Sequence, residues 1–171
     1  LRSRGHQAIL VDVFFGKEGA DPATAFDGDY DVDVEAAYIS SFNAQVKDAV
    51  ASGREFFGPG VIELCKAADV VFMALHGANG EDGRVQAYFD LCGIPYTGTG
   101  YLSSAMAMDK GITKKIFRTS GVPTPRGVEL KKGKDSMNLA DYNMELPVVV
   151  KTCCGGSSVG VYITKTPEEY E

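Results

Sequence analysis

Two spacings of apolar positions run along the chain, one typical of strands and one typical of helices. Continuous apolar runs over residues 8–15 and 69–75 predict strands that are buried on both faces. Between these runs, apolar side chains recur every four residues, and this spacing puts them on one face of a helix. We expect this face to pack in the core; it consists of Val34, Tyr38, Phe42, Val46 and Val50.

Helix signals continue after the second apolar run. Residues 58–68 and 84–93 predict short helices, and residues 103–121 predict helical pieces that Gly111 interrupts. Because strands and helices alternate, the pattern predicts an α/β fold with a parallel sheet covered on both faces. Ligands of such sheets bind beyond the carboxyl ends of the strands, so polar residues that follow a strand are candidates for function.

The composition excludes several classes of function. The chain has 171 residues, 44% of them apolar and 23% charged, with a formal net charge of -6 and a pI near 5.0. A nucleic-acid surface needs a basic face, and anionic membranes repel negative charge, so we expect neither partner. No apolar run approaches the roughly 20 residues of a membrane span, and no stretch resembles a signal peptide.

The four cysteines follow neither a disulfide framework nor a zinc pattern. Cys153 and Cys154 are adjacent, Cys65 and Cys92 stand apart, and no C-x-x-C occurs. We interpret them as reduced thiols in a cytoplasmic protein.

Both ends of the sequence have the pattern of interrupted elements. Gly5 is typical of the residue that ends a helix, and no starting Met is present. Near the other end, Thr166 as N-cap, Pro167 in the first turn and Glu169 as the capping-box residue predict the start of a helix. We therefore expect the chain to be an internal piece of a longer protein.

The stretch HGANGEDG, residues 76–83, follows the second predicted strand and is the first candidate site. Its three glycines permit sharp bends and a close approach of a ligand to the main chain. His76 and Glu81 have the chemistry to hold a small zwitterion, one at each charge, while Asp82 is a candidate cap for the next helix. The alternative interpretation is a flexible turn with solvated acids.

The second candidate site is a glycine- and serine-rich hairpin within residues 148–164. It is not a P-loop, because the motif G-x-x-x-x-G-K-[ST] is absent and a strand pattern follows it. Lys151 ends the first strand, where its charge would face phosphate oxygens. The alternative is an ordinary polar hairpin turn. Backbone N–H groups and hydroxyls for phosphate come from Gly155, Gly156, Ser157, Ser158 and Gly160.

Lys110 is the third candidate. It follows an apolar stretch beside Asp109, and the alternative interpretation is a surface ion pair of little energetic weight. Lys114 and Lys115 have the pattern of an ordinary solvated face. Cys153 and Cys154 are interpreted as small residues of the hairpin.

Taken in order, three stretches resemble the D-alanine–D-alanine ligase family of ATP-grasp enzymes. They are residues 76–87, 93–110 and 147–161, and the agreement extends from about residue 64 to the end, with a looser match before it. Thr152 and Gly155 depart from residues common in the family, but neither change removes a donor. The resemblance implies a Rossmann-like N-terminal domain with a parallel sheet over residues 1–97, truncated at its start. The first part of the central ATP-grasp domain would follow over residues 98–171, truncated at its end.

The resemblance also implies a reaction and a set of roles. ATP would phosphorylate one D-alanine, and the amine of a second D-alanine would displace the phosphate to give the dipeptide used in peptidoglycan. The resemblance places His76 and Glu81 at the D-alanine pocket, and it implies that Lys110 and Lys151 contact the ATP phosphates. Gly156 and Ser158 would belong to the phosphate lid. Ser157 would help to hold the first substrate and to order the active site.

The same resemblance implies ATP and Mg²⁺ as cofactors, with the metal ligands expected beyond Glu171, and a cytoplasmic homodimer. Two rival interpretations stay open. One is a ligase that uses D-lactate or D-serine as its second substrate, and the other is a non-catalytic fragment that keeps the fold. We expect the 171-residue chain alone to be inactive.

Overall fold

The computed structural model of the chain describes residues 1–156 and 159–170. It has an α/β content, with seven α-helices, two strands and three 3₁₀ turns in those residues. The helices are α1 (Val32–Ser40), α2 (Val46–Ala51), α3 (Val61–Ala67), α4 (Arg84–Cys92), α5 (Tyr101–Met108), α6 (Lys110–Thr119) and α7 (Pro167–Tyr170). The strands are β1 (Val148–Lys151) and β2 (Val161–Thr164), and the 3₁₀ turns are Arg2–Arg4, Ser41–Ala44 and Leu139–Tyr142.

The chain divides into two compact units. The first unit comprises Leu1–Val71 and Cys92–Pro95, and the second comprises Phe72–Leu91 and Tyr96–Glu171. The apolar core of the first unit contains Val61 and Leu64 of α3 together with Ile94, each no more than 3% exposed. In the second unit, α4 provides the core through Val85 and Phe89.

The predicted parallel sheet is not formed in the described residues, where the one sheet present is the antiparallel pair β1 and β2. At residues 12–15 a local bond competes with the strand, because the Asp12 carboxylate accepts the N–H groups of Phe14 and Phe15 and closes a turn. At residues 69–75 only one face is covered: Val71, Met73 and Leu75 are half-buried, whereas Val70 and Phe72 are 53% and 69% exposed. A parallel strand requires a ladder of paired neighbours and cover on both faces. In these runs the backbone makes single bonds instead, from the N–H of Val71 to the carbonyl of Pro95 and from the N–H of Gly58 to the carbonyl of Val13.

The prediction that the four-residue stripe packs in the core is wrong. Val34 is 65% exposed and Val50 63% exposed. The continuous helix that the stripe required is broken by the 3₁₀ turn Ser41–Ala44 between α1 and α2, so its members do not share one face. Phe42 instead stacks on the ring of Phe15, with ring centroids 4.5 Å apart.

Helix boundaries follow the local signals closely, with one correction. Gly111 does not interrupt the helical stretch, since it lies inside α6; the break is at Asp109, whose carboxylate accepts the N–H of Ile112 and caps α6. The predicted stop at Gly93 is present, with φ of 67°. The capping residues of α7 are also confirmed, because the N–H of Glu169 donates to Thr166 Oγ1.

The predicted hairpin over residues 148–164 is confirmed. β1 and β2 pair antiparallel in the register Val148 with Thr164 and Lys151 with Val161. Thr164 is buried and its hydroxyl donates to the carbonyl of Val148 at 3.2 Å, which fastens the open end of the hairpin. Residues 152–160, which connect the two strands, are called the lid below. None of the helices in the described part of the chain combines the length and the apolar character that a bilayer crossing demands.

Candidate functional site

A cavity of about 420 Å³ lies within the second unit. Three segments line it: the turn over residues 76–83 with its flanking residues Met73, Leu75 and Gln86, the region from residue 97 to the end of α5, and the lid. We call the turn over residues 76–83 the histidine turn. Its polar and small lining residues include Glu81, Gln86, Thr99, Ser104, Gly155 and Gly156. The cavity therefore brings together all three of the stretches that resemble the ligase family, residues 76–87, 93–110 and 147–161.

The histidine turn is a closed structure rather than a flexible link. The N–H of Gly77 donates to Glu81 Oε2 at 2.7 Å, and the N–H of Glu81 donates back to the carbonyl of Gly77 at 2.9 Å. Gly77 has φ of 70° and Asn79 has φ of 67°, a left-handed conformation that glycine and asparagine adopt at low cost. The interpretation of this stretch as a flexible turn does not fit this geometry.

The turn runs directly into α4, and Asp82 makes the junction. Its carboxylate accepts the N–H groups of Asn79 and Arg84 at 3.0 and 3.2 Å, and it pairs with the Arg84 guanidinium. Arg84 is the first residue of α4, so Asp82 satisfies a donor that the helix leaves unpaired. The sequence prediction of a capping role for Asp82 is confirmed.

Two glycines of the turn are required by close packing. A Cβ added at Gly80 would lie 2.7 Å from the Cβ of Leu75, and one added at Gly83 would lie 2.3 Å from the carbonyl oxygen of Tyr101. Tyr101 is the first residue of α5, so Gly83 lets the start of α4 approach the start of α5. This contact holds the histidine turn beside the second wall of the cavity.

The lid reaches the same cavity from the other end of the sequence. A Cβ added at Gly156 would lie 3.9 Å from Glu81 Oε2, so the carboxylate of the histidine turn faces the backbone of the lid. Glu81 and His76 are both exposed to solvent. Glu81 lines the cavity, and His76 does not. The structure thus brings Glu81 and Gly156 together. Ser157 and Ser158, which the sequence predicts to contact substrate and phosphate, lie outside the described residues.

Lys110 binds the lid directly. Its ammonium donates to the carbonyl of Gly155 at 2.8 Å, and its backbone N–H donates to the carbonyl of Cys153 at 3.0 Å. The alternative interpretation of an ion pair with Asp109 does not describe this lysine. The Asp109 carboxylate instead caps α6 and accepts a bond from the Cys154 thiol at 3.7 Å.

These contacts set the electrostatics of the lid. The pKa of Asp109 lies below its usual value, chiefly because the carboxylate accepts the N–H of Ile112. The pKa of the Cys154 thiol is raised, first by partial desolvation and then by the neighbouring Asp109 charge. A raised pKa keeps the thiol neutral, which agrees with the interpretation of Cys154 as a structural rather than a nucleophilic residue.

Lys151 is the last residue of β1 and is exposed. Its positive charge acts on the ammonium of Lys114. The pKa of Lys114 is lowered, first by burial of its ammonium and then by the positive charges of Arg118 and Lys151. Sequence reasoning assigned Lys114 to an ordinary solvated face. The signal that distinguishes it was present, because Lys110 and Lys114 are four residues apart and share one face of α6.

Gln86 and Ser104 also escaped the sequence analysis. Both line the cavity and both are buried, at 6% and 5% exposure. The Ser104 hydroxyl is 2.8 Å from that of Thr99. Both residues lie inside stretches that resemble the family, at 76–87 and 93–110, but only the folded chain reveals that they line the cavity.

Comparison with known proteins identifies the relatives of this chain. A family model described as the D-ala D-ala ligase N-terminus matches residues 12–99. The D-alanine--D-alanine ligase of Lacticaseibacillus casei is 38% identical over 176 aligned residues, which cover 100% of this chain and 48% of the relative. The enzyme of the same name from Desulforudis audaxviator is 50% identical over 104 residues, 60% of this chain and 34% of the relative.

Solved structures agree with the sequence matches. The D-alanine--D-alanine ligase of Bacillus anthracis superposes with a TM-score of 0.60 at 38% identity, covering 79% of this chain and 46% of that one. A structure of the Bacillus anthracis enzyme complexed with ATP gives a TM-score of 0.55 at 42% identity, over 64% of this chain and 36% of that chain. The chain spans about half the length of the curated relatives that it matches. Because the family model matches residues 12–99 and the chain is similar to these relatives, it belongs to the D-alanine–D-alanine ligase family.

Proposed function

We propose that the complete protein carrying this chain joins two D-alanine molecules, at the expense of ATP, to give D-alanyl-D-alanine for peptidoglycan. The observation that carries the proposal is the cavity in the second unit, where Glu81 of the histidine turn faces Gly156 of the lid. The relatives named above bear the name of this activity, and one of them was solved with ATP.

The proposed reaction has two steps. A carboxylate oxygen of the first D-alanine attacks the γ-phosphorus of ATP, so that ADP leaves and an acyl phosphate forms. The amine of the second D-alanine then attacks the acyl carbon; phosphate leaves, and the amine loses a proton as the peptide bond forms. Phosphoryl transfer needs chiefly positioning and neutralisation of charge, and the lid together with Lys110 and Lys151 next to it has the parts for both.

Each predicted site residue has a role in this proposal. Lys110 and Lys151 bind ATP phosphates, with Lys110 exchanging the lid carbonyls that it now contacts for phosphate oxygens. Gly156 and Ser158 belong to the phosphate lid, and Ser157 holds the first substrate. His76 and Glu81 lie at the D-alanine pocket.

Mg²⁺ does not fit the side chains described here. Among residues 1–156 and 159–170, no group of three or more His, Cys, Asp or Glu side chains is placed to hold a metal ion. The metal ligands belong to other parts of the complete protein. The proposal also includes a Rossmann-like domain over residues 1–97, consistent with the family match over residues 12–99, and an ATP-grasp region from residue 98. The last part of the proposal is that the complete protein is a cytoplasmic homodimer that binds neither nucleic acid nor membranes.

The test is phosphate release from ATP by the purified complete protein, with detection of the dipeptide by mass. D-Alanine should stimulate phosphate release and yield D-alanyl-D-alanine, whereas L-alanine should not. Parallel reactions with D-lactate or D-serine beside D-alanine identify the second substrate. Phosphate release that no D-amino acid stimulates would contradict the proposed function.

A further inference from the structure

Three positively charged side chains of the second unit lie together. Lys114 of α6 and Arg118, one turn further along the same helix, both reach Gly127. Arg118 Nη2 donates to the carbonyl of Gly127 at 2.8 Å, and a Cβ added at Gly127 would lie 2.7 Å from Lys114 Nζ. Lys151, at the end of β1, is near enough for its charge to lower the pKa of Lys114. We call Lys114, Arg118 and Lys151 the cationic cluster.

Gly127 provides the room that the ammonium of Lys114 occupies. Its backbone is outside the left-handed region, so the conformation of the chain does not require glycine at this position. An added Cβ would instead displace the ammonium, which lies at the end of a flexible side chain. Glycine therefore lets Lys114 rest against the backbone of the segment that follows α6, beside Arg118.

The cationic cluster has no acidic partner within the described part of the chain. The ion pairs there use other cations, namely Lys17, Arg84 and Lys115. Lys114 is half-buried, and among the described residues its ammonium makes neither a hydrogen bond nor an ion pair. Burial and neighbouring positive charges both disfavour a charged ammonium, so an anion that enters the cluster would offset this cost.

The cationic cluster is next to the residues that the proposed function assigns to ATP. Lys114 follows Lys110 by four residues on one face of α6, and the Lys110 ammonium contacts the lid. Lys151 is itself a member of the cluster and precedes the lid at the end of β1. The phosphate chain of ATP carries several negative charges and is held by several positively charged donors. The cluster therefore matches the phosphate chain in both charge and location.

We propose that Lys114 is a further phosphate-binding residue, whose ammonium donates a hydrogen bond to the phosphate chain of ATP that Lys151 also binds. The proposal rests on the proposed function and adds a residue to the same site. Lys115, the next residue of α6, differs because it is exposed and pairs with Glu129 at 3.1 Å. A carboxylate from another part of the complete protein would also neutralise Lys114, and the experiment distinguishes these two anions.

The experiment measures the kinetics and the thermal stability of the complete protein with Lys114→Met. We expect the KM for ATP to rise at least roughly tenfold and the thermal protection by ATP to fall, with little change in the KM for D-alanine. Without ATP, the variant should melt no lower than wild type, because the substitution removes a repulsion between like charges. A residue with a purely structural role would not show this combination.

Three further variants serve as controls. Lys114→Arg keeps the positive charge and should keep the KM for ATP within about threefold of wild type. Lys115→Met removes a positive charge from the next residue of α6 and should leave the KM for ATP unchanged. Lys114→Gln also removes the charge but keeps a polar side chain, so it replaces Lys114→Met in the comparison if that variant does not fold.

The contrary results are distinct. An unchanged KM for ATP and unchanged protection by ATP in folded Lys114→Met would overturn the inference, and a lower melting temperature beside them would assign Lys114 to a carboxylate of the complete protein. An equal rise of the KM for ATP in Lys114→Arg would overturn it too, since the charge would then not be what ATP meets. Wild-type protein without D-alanine-dependent phosphate release would instead overturn the proposed function, and thermal protection by ATP would still test Lys114.

Discussion

The ammonium of Lys110 donates a hydrogen bond of 2.8 Å to the carbonyl oxygen of Gly155, 45 residues further along the chain. Lys110 is the first residue of α6, so this bond fastens the start of a helix to the lid. The Gly155 carbonyl oxygen is an acceptor and has no donor to offer a phosphate. Under the proposed function, the Lys110 ammonium therefore exchanges this carbonyl for a phosphate oxygen of ATP.

Lys110→Met tests this contact. We expect the change to weaken ATP binding or turnover at least roughly tenfold, because it removes a charge-assisted donor. Amide hydrogen exchange in residues 152–156 should also increase, since the lid loses its anchor. Lys115→Met, which removes the neighbouring ammonium paired with Glu129 at 3.1 Å, is the matched control. Unchanged exchange in the lid of Lys110→Met would show that the contact does not order the lid.

Lys151→Met tests the lysine that precedes the lid at the end of β1. Lys151 ends β1 with an exposed ammonium, so its removal should leave the fold intact and cost about 2 kcal/mol of ATP binding or transition-state stabilisation. The expected result is an increase in the KM for ATP, or a fall in kcat, at unchanged melting temperature. The exposed Lys134 gives the control Lys134→Met. Wild-type ATP kinetics in Lys151→Met would remove this residue from the site.

Gly83→Ala tests the packing of the histidine turn against α5. Gly83 has φ of 90°, and an added Cβ would lie 2.3 Å from the carbonyl oxygen of Tyr101. Gly93 is the matched control, because it has φ of 67° with no atom within 4 Å of an added Cβ. We expect Gly93→Ala to cost about 1–2 kcal/mol for backbone conformation alone, and Gly83→Ala to cost clearly more. Denaturant unfolding measures both, and equal costs would mean that the close contact adds no strain.

Asp109→Asn tests the electrostatics of the α6 cap. The pKa of Asp109 is lowered in the folded chain, so its carboxylate stabilises the fold fully above the unfolded-state pKa of about 3.9. That stabilisation is lost as the pH falls through the folded-state pKa. We therefore expect the stability of wild type to fall more steeply than that of Asp109→Asn between about pH 5 and about pH 3. Urea unfolding across this range measures the difference, with the exposed Asp29→Asn as control. If the free energy of unfolding fell equally steeply with decreasing pH in wild type and in Asp109→Asn, the lowered pKa of Asp109 would be contradicted.

Local signals predicted the helices and the hairpin because caps and turns act through neighbouring residues. Gly93 ends α4, Thr166 caps α7, and β1 pairs with β2 across the lid. The predictions that failed depend on contacts between residues that are far apart in the sequence. The apolar run over residues 8–15 has a strand pattern, but the Asp12 carboxylate takes two backbone N–H groups that a strand would need. Strand formation also depends on neighbours, which periodicity does not report.

The candidate site shows the same division. Glycine and carboxylate spacing indicated the histidine turn and the lid, because these residue types have a local effect on the backbone. The approach of Glu81 to Gly156 and the position of the Lys114 ammonium beside Gly127 arise only when separate segments fold together. Lys114 was visible on the same face of α6 as Lys110, but its burial was not.

The most direct measurement of the central claim is the rate of Glu81→Gln against D-alanine concentration at saturating ATP. Glutamine keeps the shape and still accepts the N–H of Gly77 through its amide oxygen, so the melting temperature should barely change. Removal of the carboxylate charge from the cavity should lower kcat/KM for D-alanine at least roughly tenfold, about 1.4 kcal/mol, with a much smaller effect on ATP. The exposed Glu145→Gln should behave as wild type. Unchanged D-alanine kinetics in a normally folded Glu81→Gln protein would contradict the assignment of this cavity to the amino-acid substrate.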